Sequence, residues 1–140
     1  MVSRLVGLAA AALLVTPAAC GPQPSVPAEQ PAPAPDQAEV AQWAPDNPTA
    51  LDPSTTAIDV TVYESACASG QAATRRVAEP DITYGDQEVV VTIRVIPSPG
   101  DQSCPANPPT PFTVELDEPL DGRALLDGGQ QPPGPPHIDQ

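Results

Sequence analysis

The sequence predicts an all-β protein: a small β-sandwich or partly open barrel of about five strands, preceded by a signal peptide and a disordered proline-rich linker. Three observations carry this expectation. Apolar and polar residues alternate in the short stretches AIDVTVYE, EVVVTIRV and PFTVELDE. No window shows the 3.6-residue apolar period of an amphipathic helix. Proline and glycine, 22 and 9 of 140 residues, punctuate the chain between the alternating stretches. That proline content is too high for a uniformly packed globule, whereas 40 % hydrophobic residues is too many for wholesale disorder, so some segments should fold and others should not.

Residues 1–19 read as an export signal. MVSR supplies a short positive region, Leu5 to Val15 is uncharged and apolar, and TPAA places small residues before Cys20. Eleven apolar residues reach only about 16 Å as a helix, roughly half of a bilayer core, so a permanent transmembrane helix is not expected. Residues 20–54 are read as a tether. Prolines recur every few positions, alanine dominates the apolar residues, and neither strand nor helix periodicity is sustained. Trp43 interrupts this tract in EVAQWAP, either as a lone aromatic in a weak turn or as a residue that docks onto a partner or onto the protein's own domain.

The folded domain is expected over 55–129. Ile58, Val60 and Val62 face one way, with Asp59, Thr61 and Tyr63 opposite. Two further strands flank Gly85-Asp86. A two-residue turn there would set Tyr84 opposite Gln87 and Ile82 opposite Val89. Val89, Val91, Ile93 and Val95 form the clearest apolar stripe, and Pro80, lacking an N–H, marks its strand as an edge or a break. Phe112, Val114 and Leu116 make the next inward set, and Ala124 to Leu126 a short last one. Residues 130–140 are again proline-rich and read as a disordered tail.

The charge excludes one class of partner. There is no lysine, and five arginines face eighteen acids for a formal charge of -13; removal of residues 1–19 takes Arg4 with it and leaves -14. Such a chain is repelled by phosphate backbones, so no nucleic acid is expected as a partner.

Three cysteines remain to be assigned. Cys67 and Cys104 each lie in a loop-like context, SACASG and GDQSCPANPP, and a bond between them would staple a domain with few large aromatics. A reactive free thiol at either is the alternative. Pairing these two leaves Cys20 over. PAAC resembles the bacterial lipoprotein pattern, in which the cysteine sulfur receives a diacylglyceryl group and the signal is cut just before it; Ala18, Ala19 and Cys20 match and Pro17 departs. The alternative is ordinary cleavage after Ala18, releasing a soluble protein. Two acyl chains, such as palmitate, would hold stably where one would not.

Catalytic and metal chemistry have little support. Glu115, Asp117, Glu118, Asp121 and Asp127 are hard oxygen donors, but their spacing is not that of a twelve-residue calcium loop. His137 is the only histidine and lies in the tail, which leaves zinc without ligands. No G-x-S-x-G occurs, and a carboxylate pair among Glu64, Glu79, Asp81 and Glu88 is not indicated by spacing. No cofactor, no metal site and no catalytic residue is therefore expected, and the protein is read as not an enzyme. Arg75, Arg76 and Arg94 serve either to neutralise nearby acids or to grip an anionic partner. PANPPTP and PPGPP read as rigid loop and spacer.

The order CASG, YGDQEVVVTIRVIP, CPANPPTPFTVELDEPL and RALLDGG resembles a group of small lipoproteins of high-GC actinobacteria that have no assigned activity. That resemblance covers about half of the chain. It implies a disulfide-stapled β domain on the outer face of the plasma membrane and carries over no binding residues. The resulting expectation is a lipid-anchored, monomeric binding or structural module of the cell envelope, acting on an unknown envelope protein or glycan. A metal-binding or accessory hydrolytic envelope protein is the alternative.

Overall fold

The computed structural model describes residues 35–137. The expected signal peptide and Cys20 lie outside the described residues. Eight short strands follow in order: β1 Glu39–Val40, β2 Gln42–Pro45, β3 Ala57–Tyr63, β4 Asp81–Tyr84, β5 Glu88–Thr92, β6 Arg94–Val95, β7 Thr110–Glu115 and β8 Ala124–Asp127. Two single-turn 3-10 helices, Pro35–Gln37 and Pro48–Ala50, are the helical pieces among the described residues.

The strands form two three-stranded sheets, β2-β3-β7 and β4-β5-β8, and a two-stranded one, β1-β6. This is consistent with a small β-sandwich and not a closed barrel. All pairings are antiparallel except β5 with β8. The alternation in β3 is realised as read: Ile58, Val60 and Val62 are buried, while Asp59 and Thr61 face outward, where Asp59 accepts from the Thr113 hydroxyl at 2.8 Å and Asp46 from the Thr61 hydroxyl at 2.6 Å. Val114 and Leu116 join them from the β7 side. Val89, Val91, Ile93 and Val95 oppose them from the second sheet, and these side chains make one core cluster. Valine and isoleucine suit such half-buried pleated surfaces, each contributing about 1.5 to 3 kcal/mol when fully buried.

Two bent segments join the sheets. β5 and β6 are one run interrupted at Ile93, and β1 and β2 are one run interrupted at Ala41. β1 pairs with β6 in register Glu39↔Val95, whereas β2 pairs with β3 in register Trp43↔Val62. The chain therefore crosses from one sheet to the other at Ala41, whose N–H donates to the Ile93 carbonyl at 3.0 Å. The tether reading of residues 20–54 differs from this: regular pairing begins at Glu39, and Trp43 is 0 % exposed at the centre of the core. The period-two signal was present, with Ala41 and Trp43 inward and Gln42 outward, but small and proline neighbours hid it.

Trp43 is fixed at both ends. Its ring lies among the core side chains, and its Nε1–H donates to Asp127 Oδ1 at 3.0 Å. Asp127 is itself only 4 % exposed. The same Oδ1 accepts the Gly129 N–H at 2.8 Å, and Oδ2 accepts from Gln130 Nε2 at 3.3 Å. Gly128 is required here by close approach, since a Cβ would overlap the Thr92 hydroxyl and stand 2.9 Å from Val90 Cγ1. Beyond it, Asp127 N–H donates to the Gly134 carbonyl at 2.7 Å, and Gln130 Nε2 to the Pro135 carbonyl at 2.9 Å. Residues 130–137, read as tail, thus fold back onto the end of β8.

The hairpin between β4 and β5 also departs from expectation. Tyr84 pairs with Val89 and Ile82 with Val91, and Gly85 N–H donates to the Glu88 carbonyl at 2.8 Å, so the turn is centred on Asp86-Gln87 and not on Gly85-Asp86. Gly85 does not adopt positive φ, which removes the reason for placing it inside the turn. The pairing slips by two residues, an even number, so the buried stripe is unchanged. Pro80 marks a break as read: three residues, Ala78 to Pro80, oppose Ile93 and Arg94 between the pairs Val77↔Val95 and Asp81↔Thr92.

Proline also blunts the sheet edges. Leu116 N–H donates to Thr56 O at 2.7 Å, so by alternation the main chain of Pro111, Thr113 and Glu115 faces outward, and Pro111 has no N–H to offer there. Pro45 does the same on β2. The turn that leads into β3 is closed by Asp52, whose carboxylate accepts the Ser54 hydroxyl at 2.6 Å and N–H at 2.7 Å. These bonds, that to the Ser54 hydroxyl foremost, hold the Asp52 carboxyl below its usual range.

Trp43→Ala should cost about 3 to 5 kcal/mol, a large share of the stability of so small a domain. Trp43→Phe, which keeps most of the apolar contact but leaves Asp127 without the indole donor, should cost about 1 to 3 kcal/mol. Urea unfolding of the two variants checks both; wild-type stability for Trp43→Ala would show that the 39–45 segment is not part of the core.

Candidate binding loops at the disulfide end

Beyond the C-terminal end of β3 and before β7, two long loops come together. The sequence there is rich in proline, glycine and serine and cannot continue either sheet. Cys67 and Cys104 join them in a disulfide with S–S 1.99 Å and Cα–Cα 4.5 Å. Both cysteines are exposed, so the bond clamps the loops from outside rather than filling the core.

Polar contacts reinforce the clamp. Ser69 N–H donates to Ser103 O at 3.0 Å, Ser103 N–H returns to Ser69 Oγ at 3.1 Å, and the Ser69 hydroxyl donates to Gln102 Oε1 at 2.9 Å. Asn107 Nδ2 donates to the carbonyls of Ala66 at 2.7 Å and Glu64 at 3.3 Å, while its Oδ1 is buried without a partner. Deeper, Ala73 N–H donates to the hydroxyl of Thr110, a residue 3 % exposed. Arg76 grips both oxygens of Glu64 at 2.6 and 2.5 Å and also donates to Ile96 O at 2.8 Å. The Glu64 side chain is 3 % exposed and that of Arg76 18 %, so water competes little for this fork. The hydrogen bonds to Glu64 raise the Arg76 pKa above its usual value, outweighing the opposing effect of partial burial.

The other arginines divide. Arg94 pairs with Asp81, and Arg123 with Glu118 at 3.2 Å while it lies 5.3 Å from the Tyr84 ring centroid. Arg75 is exposed with φ 65 and borders a shallow hollow of about 450 Å³ formed with Gly70, Gln71, Ala72 and Thr74. A smaller hollow of about 140 Å³ lies between β1 and Gln130 and reaches Asp127, but both carboxylate oxygens of that residue are already engaged.

The acids singled out in the sequence do not converge. Glu115 is exposed on β7, Asp117 N–H donates to the Tyr84 hydroxyl at 2.8 Å, Asp121 sits in a turn at φ 51, and Asp127 is under Trp43. Of the four carboxylates weighed for hydrolysis, Glu64 and Asp81 are bound to arginines. No group of three His, Cys, Asp or Glu able to hold a metal ion occurs among the described residues. Sequence reasoning did not find the Arg76–Glu64 fork or the Asn107 bridge; both need the fold to bring residues together that are far apart along the chain.

Comparison with known proteins adds no relative. No family model matches the chain, and neither a curated protein nor a solved structure does. What stands of the resemblance is the Cys67–Cys104 bond in a small β domain.

Reduction of Cys67–Cys104 should lower stability by about 3 to 4 kcal/mol, from the entropy of a loop of 37 residues' separation, while the domain keeps its sheet signature. Denaturant midpoints with and without a reductant, followed by far-UV circular dichroism, give the answer. Glu64→Gln, which leaves Arg76 without a carboxylate, should cost about 1 to 3 kcal/mol in the same assay, and a neutral result would show that the fork adds no net stability.

Proposed function

We propose that the chain is an exported, lipid-anchored binding module of the cell envelope, held on the extracytoplasmic face of the plasma membrane through Cys20 and presenting its disulfide-clamped loops to an envelope protein or glycan. The observation that carries this reading is the Cys67–Cys104 bond. Such a bond persists in an oxidising compartment, which favours export, and it uses both domain cysteines, which leaves Cys20 for acylation. No helix among the described residues is long and apolar enough to cross a membrane. Acylation is thus the attachment for which the sequence offers a residue.

The loops suit binding because their backbone is fixed before any ligand arrives. The disulfide, the Ser69–Ser103 pair and the Asn107 bridge each remove conformations that a partner would otherwise have to freeze. The stretch between Cys20 and Glu39 limits the reach to at most about 70 Å from the membrane at full extension.

Two measurements test this. Intact mass of the protein extracted from membranes should show a chain that begins at Cys20 and carries acyl mass, and Cys20→Ser should release it; a chain beginning at Ala19 without acyl mass would sink the anchor. Photo-crosslinkers at Gln71 and Asp101, in the loops, should capture one and the same envelope component, and one at Thr83 on β4 should not. Equal capture from all three positions would remove the loop end as the binding face.

A further inference from the structure

We infer that the Arg75 loop is an oxyanion site, taking one carboxylate or phosphate group on an otherwise neutral ligand. The described residues include four arginines, and three are committed to carboxylates: Arg76 to Glu64, Arg94 to Asp81 and Arg123 to Glu118. Arg75 pairs with none. It borders the hollow of about 450 Å³ together with Gln71 and Thr74, whose side chains make no hydrogen bond among the described residues.

The backbone beneath Arg75 makes its presence harder to explain by folding alone. Arg76 N–H donates to Ala73 O at 2.8 Å, which closes a four-residue turn over 73–76, and of the two central residues only Arg75 has positive φ, at 65. That is a type II turn with arginine at the position where glycine or asparagine is the unstrained choice. Arginine therefore adds strain at this site and forms no ion pair or side-chain hydrogen bond among the described residues in return. Its guanidinium does fit an external role, because a planar fork of N–H donors matches two oxygens of a carboxylate or phosphate. The Thr74 hydroxyl and Gln71 amide add neutral donors on the same rim.

The platform is rigid on both flanks. Ala73 N–H is held by Thr110 Oγ1 at 2.8 Å, Arg76 by Glu64, and the start of the loop by the disulfide at Cys67. Charge then narrows the ligand class. A formal charge of -13 repels polyanions, so a single oxyanion on a neutral carrier is the species that can approach. The site deepens the binding-module reading and rests on it for the choice of face, but it stands whether or not Cys20 is acylated.

The test is an ¹⁵N NMR titration of the full chain with inorganic phosphate in one arm and sodium acetate in the other, at constant ionic strength set with chloride. Saturable shifts confined to the amides of residues 70–76 and to Arg75 Nε are expected in at least one arm, and the arm that saturates tells phosphate from carboxylate. Arg75→Gln and Arg75→Asn should weaken that binding about tenfold or more. Arg75→Asn, which suits positive φ, should melt at or above the wild-type temperature, which separates lost binding from lost folding. Non-saturating shifts in both arms, or shifts that persist in Arg75→Asn, overturn the site. If phosphate or acetate saturates here while crosslinking places the partner elsewhere, the anion site holds and the loop-end reading falls; the converse pattern removes the site alone.

Discussion

The bond from Trp43 Nε1 to Asp127 Oδ1, at 3.0 Å, joins residues 84 positions apart in the chain, one on β2 and one at the end of β8. An indole has one polar atom, and burying it without an acceptor would offset part of the gain from burying the ring. Asp127 supplies the acceptor and is in turn a buried carboxylate that needs donors. Trp43, Gly129 and Gln130 provide them. Each partner thus removes the desolvation cost of the other, and the pair makes the position of β2 depend on the position of β8. The glycine pair after Asp127 lets the turn sit close enough to β5 and β1 for this to happen.

The loops that follow β3 and precede β7 are held by different means. No large aromatic is buried there; instead an exposed disulfide clamps two loops, and an Arg76–Glu64 fork ties the first of them to the end of β3. The contrast follows from size. A domain of this length has one thin apolar cluster, and that cluster is spent between the sheets around Trp43, Val60 and Val91. Loops that give that cluster little beyond Ala73 and Val77 need covalent and charge-assisted links to hold one shape. Loops held in that way keep their polar groups and main chain near the surface, which is where a ligand would meet them.

Legibility varied with the kind of signal. The stripes in β3, β5 and β7 are strongly alternating and rich in β-branched residues, so their buried faces were evident, and the disulfide followed from two cysteines in loop contexts. The β4–β5 hairpin was recognised but placed one residue early, because Gly85 suggested a positive-φ turn and the apolar stripe is blind to an even slip. Trp43 was the larger miss. Its neighbours are alanine, glutamine and proline, so the local pattern resembled the proline-rich stretch before it, and only pairing with Val62 on β3 reveals it as a strand residue.

Local chemistry along the chain determined the strongly alternating strands β3, β5 and β7, which of their faces are apolar, which cysteines pair and that the charge is strongly negative. These properties depend on near neighbours and on counting, and both are written in the order of the residues. The tertiary structure decided where the domain begins, which sheet each half of the 39–45 segment joins, that β8 runs parallel to β5, and that Asp127 belongs to Trp43 rather than to an acidic cluster. It also decided that, among the described residues, Arg76 is paired with a carboxylate and Arg75 is not. Those outcomes depend on contacts between residues from 12 to 84 positions apart, whose energies are set by burial and mutual desolvation, and neither quantity exists until the two sheets have closed on each other.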